Sequence, residues 1–237
     1  MTVIEDFINR WQRLQSPAGL LSLATGAAMA AADTLPGVRG AAICLYDTVD
    51  ARLPIGVSDP QALLAEQLEY TIGDGPWLHA QRSAAPTVAG EHFTRRWPVF
   101  RDVLLSRTPF RAVRAVPLGD VSTEWFAALL LYYPAASDLH AAAAADIGEV
   151  AEVIACAVSC SMTELTTQLR MPDGWVMPPH ITQRLGVSVA TGMVTAAHQL
   201  PTGDALDVLR GYAYAHNQTI DHTARQLTTG QLHTRSI

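Results

Sequence analysis

The chain runs to 237 residues, room for two compact domains or one large one, and 49% of it is hydrophobic, enough for real cores. No run is apolar and long enough to span a bilayer, and the opening MTVIEDFINRWQRLQ is too polar for a signal peptide, so a cytoplasmic protein is expected. All 16 basic residues are arginine and the net charge is −6, which disfavours a nucleic-acid surface over the chain as a whole.

In chain order, residues 1–16 read as an N-terminal helical segment, with Ile4–Leu14 its amphipathic part. A first domain is expected over 17–170. Pro17 to Asp33 is an Ala-rich helix pattern, ended by Leu35-Pro36-Gly37. Gly40–Asp47 reads as a buried strand and Leu53–Ser58 as its shorter neighbour. Pro60–Tyr70 is helical, with Leu63, Leu64 and Leu68 on one side, and Gly73-Asp74-Gly75-Pro76 is a turn. Trp77–Ser83 suits a short helix, Pro86–Ala89 a strand and Trp97–Arg107 an amphipathic helix. Two strong strands follow at Ala112–Leu118 and Phe126–Tyr133, and Asp138–Leu169 reads as one long helix. Three of these stretches, Ile72-Gly73-x-Gly75-Pro76, Arg96-Trp97-Pro98-x-Phe100 and Val113–Leu118, together with the strand Ala127–Tyr133, resemble the GAF domain, a small-molecule sensor. The resemblance implies an α+β fold, an antiparallel sheet with flanking helices, and a ligand pocket near Trp77, Trp97, Phe100 and Tyr132. Relatives carry a small residue or Cys where this chain has Trp77, a ring large enough to fill that pocket.

Residues 171–180 are a Pro-rich linker, since each proline fixes φ and disfavours helix before it. Residues 181–231 then form three amphipathic stretches joined by LPTG and NQT. Leu185, Val189, Met193 and Ala196 recur at helical spacing, as do Leu206, Leu209 and Ala213, and Ile220, Ala224 and Leu227. Thr202 and Thr219 suit N-caps and Asn217 a left-handed C-cap. The run Ala190-x-Gly192-Met193, Asp204-Ala205-Leu206, Leu209-Arg210, Ala213, Asn217 and Thr219-Ile220-Asp221-x-x-Ala224 resembles the ANTAR domain, an RNA-binding antiterminator module. With the first resemblance it gives the order of actinobacterial GAF–ANTAR proteins. What this implies is a small C-terminal three-helix domain that binds stem-loops in nascent mRNA, with RNA contacts at Ala190, Thr191, Gly192, Arg210, Tyr214, Asn217, Thr219 and Arg225. The family carries Lys where this chain has Thr191. The alternative is a degenerate module that acts in ligand sensing or protein contact without RNA.

Charge bears on that choice. Residues 1–180 carry 12 Arg against 19 acids, while 181–237 carry four Arg (184, 210, 225, 235) against three acids. A net +1 predicts weak phosphate binding unless two modules act together. A homodimer is expected through the long helix, whose seam is Leu139, Ala143, Ile147, Val150, Ile154, Ala157 and Leu165. Cys44, Cys156 and Cys160 form neither a disulfide framework nor a zinc spacing. No nucleophile elbow, phosphate-binding glycine loop or His–Glu zinc helix appears. No enzyme activity, metal or cofactor is expected.

Overall fold

The computed structural model describes residues 2–14, 19–47, 51–90, 93–119, 126–168 and 177–237. Five strands, β1 (Gly40–Asp47), β2 (Ala51–Val57), β3 (Thr87–Ala89), β4 (Ala112–Leu118) and β5 (Phe126–Tyr133), form one antiparallel sheet in the order β2-β1-β5-β4-β3. The central strands are nearly all apolar because helices cover both faces, so period-two alternation has no solvent side to mark. With the flanking helices this is the expected α+β, GAF-like architecture.

On one face lie α1 (Val3–Leu14), α2 (Leu20–Thr34) and α7 (Ala144–Gln168). Phe7 and Trp11 of α1 are buried against α2, and Trp11 Nε1 donates to the Leu23 carbonyl at 3.0 Å. The small side chains of α2 (Ala24, Ala27, Ala28, Ala31) let it lie close on β1 and β2. Ile147, Val150 and Ile154 of α7 are almost fully buried in this same core. The seam expected to face a second copy is therefore spent at those positions inside the protomer; Ala143 is exposed, and the Leu165 side chain lies outside the described residues.

The long helix also starts later than its pattern suggests. Ala136–His140 is a 3-10 turn, with the Asp138 carboxylate accepting from the Ala135 amide at 3.2 Å. The Leu139 carbonyl is taken by Arg114 Nη2 at 2.9 Å, and the α-helix begins at Ala144.

On the other face lie α3 (Pro60–Ile72), α4 (Pro76–Ser83), α5 (Phe93–Arg96) and α6 (Pro98–Arg107). Asp59 caps α3 by accepting from the amides of Gln61 and Ala62. Gly73 ends it with φ 71°, a left-handed cap that glycine adopts without a Cβ penalty.

Three helices complete the chain: α8 (Pro179–His198), α9 (Thr202–Ala215) and α10 (Ile220–Thr228). Most of the expected linker, residues 171–176, lies outside the described residues, and by Pro179 the chain is already helical. The second and third expected seams are buried as a common core, which Tyr70 of α3 joins. The first is not. Leu185, Val189 and Met193 are 44%, 58% and 37% exposed, and Ala196 is exposed too. The buried stripe of α8 is Ile181, Arg184, Val187, Ala190, Thr191 and Val194. Thr219 does cap α10, accepting from His222, and Asn217 has φ 53°. Thr202 is the first helical residue instead of the N-cap, which the extended backbone of Pro201 supplies. Among the described residues no helix is long and apolar enough to cross a membrane.

Candidate functional site

The four side chains expected to line a sensor pocket belong to one packed cluster. Trp77, Trp97, Phe100 and Tyr132 are each at most 5% exposed. Tyr132 stacks on Phe110 with ring centroids 5.0 Å apart, and Phe93 packs against both Trp97 and Phe100. Trp77, placed by the helix start after Gly75-Pro76, drives its ring into the sheet face beneath Tyr46 and Arg52. The place where the resemblance implied a ligand pocket is thus packed with this chain's own rings.

A charge cluster that the sequence marks only faintly lies at the edge of the same face. Arg52 on β2, Glu66 and Glu69 on α3, Arg184 on α8 and Asp221 on α10 are all at most 3% exposed. Arg184 is the centre. Its Nη1 and Nη2 donate to Glu66 Oε1 and Oε2 at 3.0 and 2.7 Å, and its Nε donates to Asp221 Oδ1 at 2.8 Å. Nη1 also donates to the Arg52 carbonyl at 2.6 Å, and the guanidinium lies 3.9 Å from the centre of the Tyr70 ring. A planar fork with five donors meets this set where a lysine would not. Arg52 Nε sits 2.8 Å from Glu66 Oε1 as an ion pair lacking hydrogen-bond alignment, and its Nη2 reaches Glu69 Oε2 at 3.4 Å. Glu69 Oε1 accepts the Trp77 amide at 2.7 Å, and Gly75 passes so close to this carboxylate that a Cβ there would overlap it.

Three carboxylates face two guanidiniums, and burial divides them. Burial pushes every one of these acids up, but at Glu66 the attraction of Arg184 and Arg52 wins and holds it below the usual carboxylate range. Glu69 and Asp221 stay above theirs, because burial outweighs what Arg52 and Arg184 return to them. Cys44, with Sγ 3.9 Å from Glu66 Oε1, is raised to about 12 by burial and then by Glu66. It stays a thiol at neutral pH and is not an activated nucleophile.

These contacts join residues far apart in sequence. Arg184 binds Glu66 across 118 positions, and the Ile220 amide donates to Thr71 Oγ1 at 2.9 Å. Arg210 Nε donates to the Tyr70 carbonyl at 3.3 Å, its guanidinium lies over the Tyr70 ring, and its Nη1 pairs with Asp207 at 3.1 Å. The three-helix module is therefore docked on α3 and β2. Of the residues expected to touch RNA, Ala190 and Thr191 are buried, the Thr191 hydroxyl donating to the Val187 carbonyl at 2.8 Å. Thr219 is buried as a cap. Arg210 is held by Tyr70 of α3. Gly192, Tyr214, Asn217 and Arg225 are exposed. The Lys-for-Thr departure at 191 thus falls on a core position, and charge restored there would not lie on the surface.

Beside the cluster, Trp97 and Phe100 of the expected pocket and Arg210 and Tyr214 of the expected RNA face line a single cleft. The two sets, read separately in the sequence, meet at the seam between domains.

No protein-family model matches the chain, and no curated protein matches it. Among solved structures it is similar to the GAF domain of a phosphoenolpyruvate-protein phosphotransferase from Coxiella burnetii, at 12% identity and TM-score 0.51, covering 69% of this chain and 96% of that one. It is likewise similar to the GAF domain of the Acinetobacter phosphoenolpyruvate-protein phosphotransferase, at 12% identity and TM-score 0.50, covering 70% and 99%. At such identity the likeness is one of fold.

Proposed function

We propose that this chain is a signal-responsive transcription antitermination regulator of the actinobacterial GAF–ANTAR type. A sensor domain controls a three-helix module that binds paired stem-loops in nascent mRNA in the cytoplasm. The observation that carries the reading is the docking of the module through Arg184, with Arg210 held on Tyr70 while Tyr214, Asn217 and Arg225 stay exposed. A module whose phosphate-seeking arginines are engaged by the sensor is a poor RNA binder, and loosening the seam returns them. No catalytic step is assigned to any residue. A homodimer through the outward side of α7, where Glu152, Cys156 and Ser159 are exposed, belongs to the same proposal. A monomeric mass by light scattering at roughly tens of micromolar would remove that part.

The test is filter binding of the full chain to an RNA carrying two stem-loops, across a salt series. Binding should weaken steeply with salt, and Arg225→Ala should lower both affinity and the steepness by about one counterion. Tyr214→Ala should cost about 1–3 kcal/mol with the salt dependence unchanged, if the ring stacks on a loop base. A second reading, a module that works only in protein contact, is favoured by the burial of Thr191 and by the carboxylate partners of Arg184. Absence of RNA binding at low salt both in the full chain and in a Glu66→Gln chain, whose seam is loosened, supports that second reading and rejects the first.

A further inference from the structure

The cleft at the seam has a volume of about 380 Å³ and lies between the α3–α4 turn and the start of α6 on one side and α9 on the other. We propose that it is a binding site for a small arylalkylamine, a flat aromatic ring with a protonated aliphatic amine arm, held between the sensor and the three-helix module. The proposal is independent of whether the module binds RNA.

Three observations carry it. The walls are largely apolar and aromatic: Trp97, Pro98 and Val99 on the sensor side, Tyr214 on the other. Val99 is 43% and Tyr214 52% exposed, two large side chains left to water at the same cleft. A flat ring seated there would cover both. The charges set the sign of the ligand. Asp74 and Asp207 line the cleft with carboxylates, against the single guanidinium of Arg210, which already serves Tyr70 and Asp207. Among the lining residues the excess is one negative charge, and the exposed face of Tyr214 also attracts cations, whereas the Trp97 ring already carries the Arg96 guanidinium. A phosphate or carboxylate would instead meet Asp74, whose charge no lining cation is paired with, since Arg210 is paired with Asp207. The volume falls at the small end of ligand sites, suited to one fused ring with a short amine arm.

Gly211 of α9 supplies the control. It lines the cleft, and a Cβ built on it meets nothing within 4 Å. A side chain there fills the space a ligand would take without displacing the fold. Because an occupant touches both domains, it binds the docked arrangement and adds to its stability by mass action.

The test is isothermal titration calorimetry of the full chain with tryptamine, indole and indole-3-acetate as probes. Tryptamine should bind best, at least roughly tenfold tighter than indole-3-acetate, the size of a cation–aromatic contact plus the carboxylates. Tyr214→Ala, at an exposed position, should weaken tryptamine by about tenfold. Gly211→Phe should abolish binding while the thermal midpoint holds or rises, as expected for a glycine replaced inside a helix. No heat from tryptamine up to about 1 mM, a preference for indole-3-acetate, or unchanged tryptamine affinity in a folded Gly211→Phe chain would each overturn the proposal. If Gly211→Phe fails to fold, the Tyr214→Ala result and the order of the three probes decide.

Discussion

Against one face of the sheet, α1, α2 and α7 bring apolar and small side chains, among them Phe7, Leu20, Ala27, Ala31, Ile147 and Ile154. Against the other, α3 and α4 bring a comparable apolar set together with Glu66 and Glu69, and the strands add Cys44, Tyr132 and Arg52. The first face is held by buried area and close packing, which tolerate any residue of the right volume. At the edge of the second sit five buried ionisable side chains, a costly arrangement unless every partner is in place. The cluster is completed only where the C-terminal module reaches in with Arg184 and Asp221. One face stabilises the domain, and the other ties the domain to its neighbour.

The largest effect should come from Arg184→Met, which leaves Glu66 and Asp221 buried without their shared cation. A loss of about 3–5 kcal/mol by denaturant titration is expected, and a loss below about 1 kcal/mol would mean the cluster is solvated and the two faces are alike. On the apolar face, Gly56→Ala pushes a methyl into the backbone of Ala24, where β2 passes close under α2. Overpacking of this kind costs about 1–3 kcal/mol; a neutral result would show that α2 moves away easily.

Glu69 and Glu66 should respond to pH in opposite senses. Burial holds Glu69 above the usual carboxylate range, so its ionisation costs stability as the pH rises through its folded value. Glu69→Gln should accordingly be as stable as wild type or more so at about pH 8, the gap closing in acid. Arg184 and Arg52 overcome the effect of burial at Glu66 and hold it low, so its contribution is present at neutral pH and lost as the pH falls through its folded value. Glu66→Gln should therefore be destabilised at about pH 8, and less so in acid. Parallel pH profiles for the two variants would contradict the division of charge. The smallest effect is expected for Cys156→Ser with Cys160→Ser, both exposed on α7, at within about 0.5 kcal/mol.

The strands at Gly40–Asp47, Ala112–Leu118 and Phe126–Tyr133 were legible because continuous apolar runs of that length have no other easy home. The seams of α9 and α10 were legible because each carries a single apolar stripe. α8 was misread because it carries two. Its Leu185–Val189–Met193 stripe is the more hydrophobic, but the buried one contains Arg184 and Thr191, polar residues that a hydrophobic pattern passes over. The charge cluster left only faint local marks: a lone arginine inside the strand ARLPIGV, and two glutamates three apart among the apolar residues of α3. Its assembly depends on contacts across more than a hundred positions, which no spacing rule encodes.

The docking of the three C-terminal helices on α3 and β2 is tested most directly by a double-mutant cycle pairing Glu66→Gln on α3 with Arg184→Met on α8, followed by denaturant titration. A coupling energy of at least about 2 kcal/mol is expected if the two buried side chains are bonded to each other. Additive effects, within about 0.5 kcal/mol, would contradict the docked arrangement.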